Sequence, residues 1–388
     1  MPQDPTAQAD VVVIGGGVIG LAVAWRAAQR GHAVCVIERG ELGCGASNVA
    51  AGMLAPVTEA DPGELALLAL GLRSAAAWPA FAAELAAAAG CDPGLRRCGA
   101  LVVARDRDEA GALERELDLR RRLGLGLEVT RLLPSAARRL EPALAPGIRL
   151  ALAVAGDHVA DPRAMVIALA EAGLRAGVGR CTNEAVQRIC CDGAKIVGVQ
   201  LAGGAFVQAG QVVLAAGAWS GAFAGLPAAA QLPLRPVKGQ VLRLRDPAGP
   251  GLLERIVRFD GGYLVPRGDG RYVLGATMEE RGFDTTVTAG ALYELLRDAG
   301  ELVPGVHELI VDEASAGLRP ATPDNAPVLG RDAGIEGLVW ATGHHRNGIL
   351  LTPVTAELVA AALDGADVPA AFAAQRFAGE GAQLGVPA

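Results

Sequence analysis

Residues 9–20 read Ala-Asp-Val-Val-Val-Ile-Gly-Gly-Gly-Val-Ile-Gly, and Glu38 follows eighteen residues after Gly20. This order is that of a dinucleotide-binding βαβ unit. Val11 to Ile14 form an apolar run suited to a buried parallel strand, and Gly15 makes the tight turn after it. Gly17 lets a pyrophosphate approach the backbone at a helix N-terminus, and Gly20 lets that helix pack close to the sheet. The helix is expected over 18–30, ended by Gly31, with a second strand over 33–38. Glu38 at its end can accept hydrogen bonds from ribose hydroxyls, which suits an adenosine without a 2′-phosphate. A GxGxxG alone is weak in a chain with 52 glycines. Strand, turn, helix, second strand and terminal acid together make the reading specific.

The 388 residues allow about two domains with a sizeable core. A hydrophobic share of 51% against 20% charged residues marks a globular chain. The net charge of −7 offers no footprint for nucleic acid or an anionic membrane. The run Arg120 to Arg122 lies among Glu114, Glu116 and Asp118 and reads as the solvated face of a helix. Seven cysteines show neither a CxxC pair nor metal-ligand spacing, so neither a disulfide framework nor a metal is expected, and a reducing, cytoplasmic setting fits. Asp4 and Asp10 stand where a secretion signal would be basic. The uncharged stretch 196–234 carries prolines, glycines and glutamines and reads as strands and turns, so no membrane association is expected.

Further along, residues 64–90 have a helical pattern that Pro79 should kink or break. A charged amphipathic helix is expected over 106–124. Asp161-Pro162 is an N-cap followed by proline, opening a helix over 162–176. Residues 211–216 form a β-run ending in Ala215-Ala216-Gly217, and Trp219 is expected beside the cofactor domain. Residues 263–266 and 271–276 form a hairpin through Gly268-Asp269-Gly270. A strand over 337–342, a glycine turn and a helix over 349–363 close the chain. The fold class is therefore α/β: an interrupted Rossmann-type dinucleotide-binding domain (1–90, 157–225 and 316–388) plus a mixed-sheet substrate domain (91–156 and 226–315).

Several further stretches carry a resemblance. Ala50-Ala51-Gly52-Met53-Leu54-Ala55-Pro56, Pro236-Val237-Lys238-Gly239-Gln240, Gly317-Leu318-Arg319-Pro320 and Gly343-His344-His345-Arg346-Asn347-Gly348-Ile349-Leu350-Leu351 are similar to the glycine oxidases of thiamine biosynthesis. These belong to the FAD-dependent D-amino-acid oxidase superfamily. The resemblance implies that Val18 and Ile19 supply backbone at the pyrophosphate, while Glu38 and Arg39 hold the adenosine. It implies that Ala46, Ser47, Ala51, Gly52 and Met53 line the flavin, that Val186 touches the adenine region, and that His344 to Leu350 embrace the isoalloxazine. Gly217 is expected at the cofactor as well. Arg319 would bind the substrate carboxylate, Tyr263 would hydrogen-bond it, Met278 would wall the pocket, and Arg346 is the alternative anchor. Gly261 replaces a histidine that can stand two places before this tyrosine in the family.

The residues also admit plainer readings. Arg319 can pair with Asp312 or Glu313, Tyr263 can be a buried aromatic, Met278 can be core, and Lys238 reads as a surface lysine. The implied reaction is oxidation of a small amine or amino acid at a C–N bond, through FAD held non-covalently, since no cysteine follows Cys191. The absence of a second GxGxxG disfavours a nicotinamide partner and leaves oxygen as the acceptor. The alternatives are a D-amino-acid or sarcosine-type dehydrogenase passing electrons to a quinone, or a flavin-carrying subunit of an electron-transfer complex. A homo-oligomer is left open.

Overall fold

The computed structural model describes residues 9–378; Asp4, used above against a secretion signal, lies outside them. The strand Ala9–Ile14 sits at the centre of an eight-stranded sheet, parallel to Val34–Glu38 on one side and to Phe206–Leu214 on the other. Gly179–Thr182 extends the parallel array beyond Val34–Glu38, and Leu338–Thr342 extends it beyond Phe206–Leu214. Strands distant in sequence thus become neighbours, and all but the edge strand Gly179–Thr182 enter with mostly buried apolar side chains. That composition follows from a sheet covered on both faces.

On one face pack the helices Val18–Gln29, Leu65–Ala89, Pro162–Arg175 and Gly348–Leu363. The first begins at Gly17, and the third is capped by the Asp161 carboxylate, which accepts a hydrogen bond from Arg163 N–H. Of the kink or break expected at Pro79, the break does not occur: Leu65–Ala89 runs as one helix. Its buried Trp78, Phe81 and Leu85 anchor the helix on both sides of the proline. In addition, Ser74 Oγ and Trp78 Nε1 both donate to the Leu350 carbonyl, at 2.7 and 2.8 Å. Tertiary packing here outweighs the missing N–H. By length and composition this helix could cross a membrane, but its apolar face is core.

A second eight-stranded sheet is mixed. Its order runs Ile310–Ala321, Arg235–Arg245, Arg271–Gly275, Gly262–Pro266, Ile256–Phe259, Ala100–Ala104, Leu150–Val154, Val129–Leu132. Only Ile256–Phe259 and Ala100–Ala104 are parallel neighbours; the other pairings are antiparallel. The hairpin between Gly262–Pro266 and Arg271–Gly275 forms as its turn residues require. The amphipathic helix Arg107–Arg122 covers one end, but Arg120 is not solvated. It is buried and donates to the Val57 and Thr58 carbonyls at 2.9 and 2.8 Å, so only Arg121 and Arg122 keep the exposed role. Spacing within the helix could not reveal this, because the acceptors lie more than sixty residues away.

Candidate active site

A single cavity of about 1540 Å³ runs between the two large sheets, from Glu38 and Val186 at one end to Tyr263 and Arg319 at the other. It is larger than an ordinary small-molecule pocket, as a dinucleotide plus a substrate would need. At the first end the backbone of Gly15, Gly17, Val18 and Ile19 faces the opening. Gly17 has no side-chain cap of its own; instead Ser47 Oγ accepts from Val18 N–H at 3.1 Å. A Cβ on Gly17 would touch only that hydroxyl within the protein, so the space above it belongs to the cavity. Gly20 lies outside the cavity and acts through packing, since a Cβ there would collide with the Gly15 carbonyl oxygen. Glu38 accepts from Gly16 N–H at 2.7 Å and from Gly40 N–H at 3.1 Å. A carboxylate has lone pairs beyond these two bonds for further donors. Arg39 lies over the Trp219 ring at 3.8 Å, and Trp219 in turn packs on Phe283.

Ala46, Ser47, Ala51, Gly52, Met53 and Gly217 line the middle of the cavity, with His344, His345, Arg346, Gly348 and Ile349 among the residues facing them. Asn347 and Leu350 do not line it. They turn toward the helix Leu65–Ala89, where the Leu350 carbonyl is already engaged. His344 is buried, with Nε2 3.0 Å from Thr355 Oγ1, and burial pushes its pKa down to about 3. His345 is only 8% exposed and takes a left-handed backbone, φ 46°. Its Nδ1 is buried without a partner, and burial, then the nearby Arg346, Arg319 and Arg235, keep the ring neutral with a pKa of about 3. A buried, unpaired ring nitrogen beside an open cavity marks a place for a ligand atom.

At the far end stands Arg319. Its Nη1 donates to the Thr277 and Lys238 carbonyls at 3.1 and 3.4 Å, and among the described residues no carboxylate lies within 4.0 Å. Asp312 pairs with Arg245 and Glu313 with Arg163, so the structural pairings open to Arg319 from the sequence are taken. Gly239 makes room for it: a Cβ there would stand 2.6 Å from the guanidinium carbon. Tyr263 is its neighbour; burial raises the phenol pKa, and the Arg319 charge opposes that rise. Arg346, the alternative anchor, is committed to Glu64 at 2.8 Å and lies 3.8 Å from Glu59. Met278 is 66% exposed at the cavity rim and is not core.

Lys238 reverses its expected surface place. It is 1% exposed, with Nζ 2.8 Å from Asp284, and its own strand interior hides it. The residues 277–288 fold over it: Glu279 exchanges backbone hydrogen bonds with Lys238 and accepts from Gln240 Nε2 at 2.7 Å. Sequence reading also passed over Glu59 and Arg258, which line the same cavity 3.6 Å apart. Neither sits in a glycine-rich or otherwise marked run, so no local signal pointed to them.

Residues 10–362 match the sequence pattern described as FAD dependent oxidoreductase. The chain belongs to that family. Among curated members it is 38% identical to a glycine oxidase of Geobacillus kaustophilus, over 90% of this chain and 92% of that protein. It is 35% identical to a glycine oxidase of Pseudomonas putida, over 92% and 95%. A bifunctional protein ThiO/ThiG of Trichormus variabilis is 35% identical over 90% of this chain and 52% of its own length. The crystal structure of the Geobacillus kaustophilus glycine oxidase superposes with a TM-score of 0.87 at 36% identity, covering 96% and 99% of the two chains. Iminodiacetate oxidase from Chelativorans sp. BNC1 superposes at 0.84 with 28% identity, covering 94% and 98%. Like other members of the FAD dependent oxidoreductase family, this chain is an FAD-binding oxidoreductase.

Proposed function

We propose that this chain oxidises glycine and similar small amines, such as sarcosine and small D-amino acids, to the imine. Oxygen takes the electrons and becomes hydrogen peroxide, and the product serves thiazole synthesis in the cytoplasm. The observation that carries the reading is Arg319: a cavity-lining guanidinium with no carboxylate partner among the described residues, beside a phenol. A fork of fixed donors next to a hydroxyl is the arrangement that recognises a carboxylate. The glycine oxidases among its relatives support the substrate, and the ThiO/ThiG relatives support the link to thiamine.

In this reading Gly15, Gly17, Val18 and Ile19 would hold the pyrophosphate of FAD. Glu38 and Arg39 would hold the adenosine with Val186, and Ala46, Ser47, Ala51, Gly52, Met53, Gly217, His344, His345, Arg346, Gly348 and Ile349 would hold the flavin. Bound FAD supplies the acceptor for the hydride that leaves the substrate α-carbon. The chain's own residues bind and orient. Arg319 and Tyr263 fix the carboxylate, which restricts how the α-carbon can be presented, and Met278 closes the rim. His344 and His345, kept neutral by burial, are not imidazolium acids near neutral pH. An amine bound in its neutral form needs no protein base: the C–H pair leaves as hydride while the nitrogen lone pair forms the C=N bond. Water then releases the oxo acid and ammonia, or methylamine where the substrate is sarcosine.

The test is a visible spectrum of the purified protein followed by anaerobic addition of glycine, sarcosine or D-alanine. A yellow protein that bleaches with glycine and regains colour with air, releasing peroxide, is the expected result. Bleaching with glycine but recolouring only with a quinone would move the chain to the dehydrogenase reading. FMN, or no flavin after native purification, would overturn the proposal. Flavin released by heat into the supernatant is expected from non-covalent attachment.

A further inference from the structure

The second sheet carries a charged region on its cavity face that the active site does not use. Tyr263 and Val241 line the cavity, and both pair with Gly275. Side chains alternate between the faces of a strand, so Arg243, Arg267 and Arg271 continue that same face toward the strand ends. Val49 and Ala51 pack on Val241, Val265 and Val273 as an apolar plug between the two regions. Beyond the plug, Asp161 and Arg163 at the start of helix Pro162–Arg175 meet the charges of the sheet. None of these four arginines lines the cavity.

The carboxylates present do not satisfy the guanidinium groups. Both Glu313 oxygens lie 2.8 Å from Arg163 Nη2, and Arg243 Nε is left 3.8 Å away. Asp161 caps its helix with one oxygen, and the other stands 3.9 Å from both Arg267 and Arg271. Asp269 is taken by Arg271 at 2.8 Å. Arg243 Nη2 donates to the Asn48 carbonyl, while Arg267 reaches only the Ala160 carbonyl, at 3.5 Å. Among the described residues, Arg243 Nε and Arg267 Nη2 are buried with no acceptor. The Arg267 side chain is 4% exposed and that of Arg271 is 56% exposed, so the cluster runs from a buried floor to an open rim. Burial lowers the Arg267 pKa to about 10; Asp161 opposes the fall, and Arg243 and Arg271 add to it. A buried charge without a partner is costly, and orphaned donors among like charges call for an anion.

We propose that Arg243 and Arg267 form an oxyanion site, separate from the amine-oxidising cavity, that takes a phosphate-sized ligand from solvent. Its oxygens accept from Arg243 Nε and Arg267 Nη2, and Arg163 and Arg271 complete the rim. The fixed fork of guanidinium donors suits such a ligand. Arg163 and Arg243 also share the carbonyl of Asn48, which lies between the cavity-lining Ser47 and Val49. An anion that fixes these arginines therefore braces the segment Ala46–Val49 from behind, whichever amine the enzyme oxidises.

The probe is inorganic phosphate, titrated into the FAD-loaded enzyme against chloride at constant ionic strength, with binding heat and the thermal midpoint as readouts. Saturable binding with a rise in the midpoint is expected. Arg267→Met should weaken the binding roughly tenfold or more, since a charge-assisted hydrogen bond is lost. Arg121→Met removes the same charge from an exposed helix position and should leave binding unchanged, as should Arg319→Ala. No saturable binding, or unchanged binding in Arg267→Met, overturns the proposal. Equal weakening in Arg121→Met also overturns it, because net charge alone would then explain the effect. A loss confined to Arg319→Ala overturns it too, by placing the phosphate on the substrate anchor. Should Arg267→Met fail to fold, crystals of the parent enzyme grown with selenate decide. An anomalous peak within hydrogen-bond reach of Arg243 Nε and Arg267 Nη2 supports the site; no peak there overturns it.

Discussion

The Glu38 carboxylate holds the Gly16 N–H with one oxygen and the Gly40 N–H with the other. The acid that ends the second strand is thus also a staple on the glycine turn after the first. Removing it should disturb both the ribose contact and the turn. Hydrogen bonds to a charged group are worth about 1.5–3 kcal/mol, so Glu38→Ala should weaken FAD binding on the order of tenfold to a hundredfold. Glu38→Gln should fall between. Fluorescence titration of the apoprotein with FAD measures both, and an unaltered dissociation constant for the alanine variant would remove Glu38 from the site.

Gly17 and Gly20 separate cofactor space from packing space. Gly17→Val meets no protein obstacle beyond Ser47, so the variant should fold and lose most of its flavin. Gly20→Ala should instead lower the thermal midpoint with or without FAD, because its Cβ meets the Gly15 carbonyl. Flavin occupancy and apoprotein melting distinguish the two. Full FAD content in Gly17→Val would show that the phosphates lie elsewhere.

Arg319→Ala should lower kcat/KM for glycine on the order of tenfold to a few hundredfold, with flavin content near normal. An amine without a carboxylate should lose far less. Gly239→Ala should reproduce the defect without touching the charge, since its methyl would displace the guanidinium. Equal losses on both kinds of substrate would make Arg319 structural.

Asp157 should leave a mark on the pH dependence of stability. It is buried beneath Val57 and Thr58, and burial raises its pKa to about 6, above the roughly 3.9 of an unfolded chain. A raised folded pKa means that its contribution is fully present below pH 4 and is lost as pH rises through 6. The loss is about 3 kcal/mol. Asp157→Asn cannot titrate, so the parent's advantage over it should shrink between pH 4 and 7. Paired denaturation curves across that range measure the difference; a constant gap would mean that Asp157 titrates as if solvated.

The parts legible in the sequence were those whose signal is local. The glycine fingerprint, the Asp161-Pro162 cap, the Gly268-Asp269-Gly270 hairpin and the strand-to-helix turn at 343 each carry their geometry in a few adjacent residues. Arg319 also stood out, because Leu318 and Pro320 leave no room for a casual surface charge. What was hidden depends on partners far along the chain. Lys238 is buried by Asp284 and its loop, and Arg120 by two carbonyls before residue 60. Pro79 is tolerated because Leu350 holds its helix. Arg258 reaches the cavity only because the sheet register sets it beside Tyr263.

The central parallel strands come from residues 9–38, 179–182, 206–214 and 338–342, and the last of them leads directly into His344 and His345. A chain emerging from the ribosome therefore exposes its glycine fingerprint long before the opposite wall of the cleft exists. Pairings this distant form late and slowly. On the proposed site, flavin capture waits until residues 338–349 have been made, so a chain stopped before them is expected to carry the fingerprint yet remain colourless.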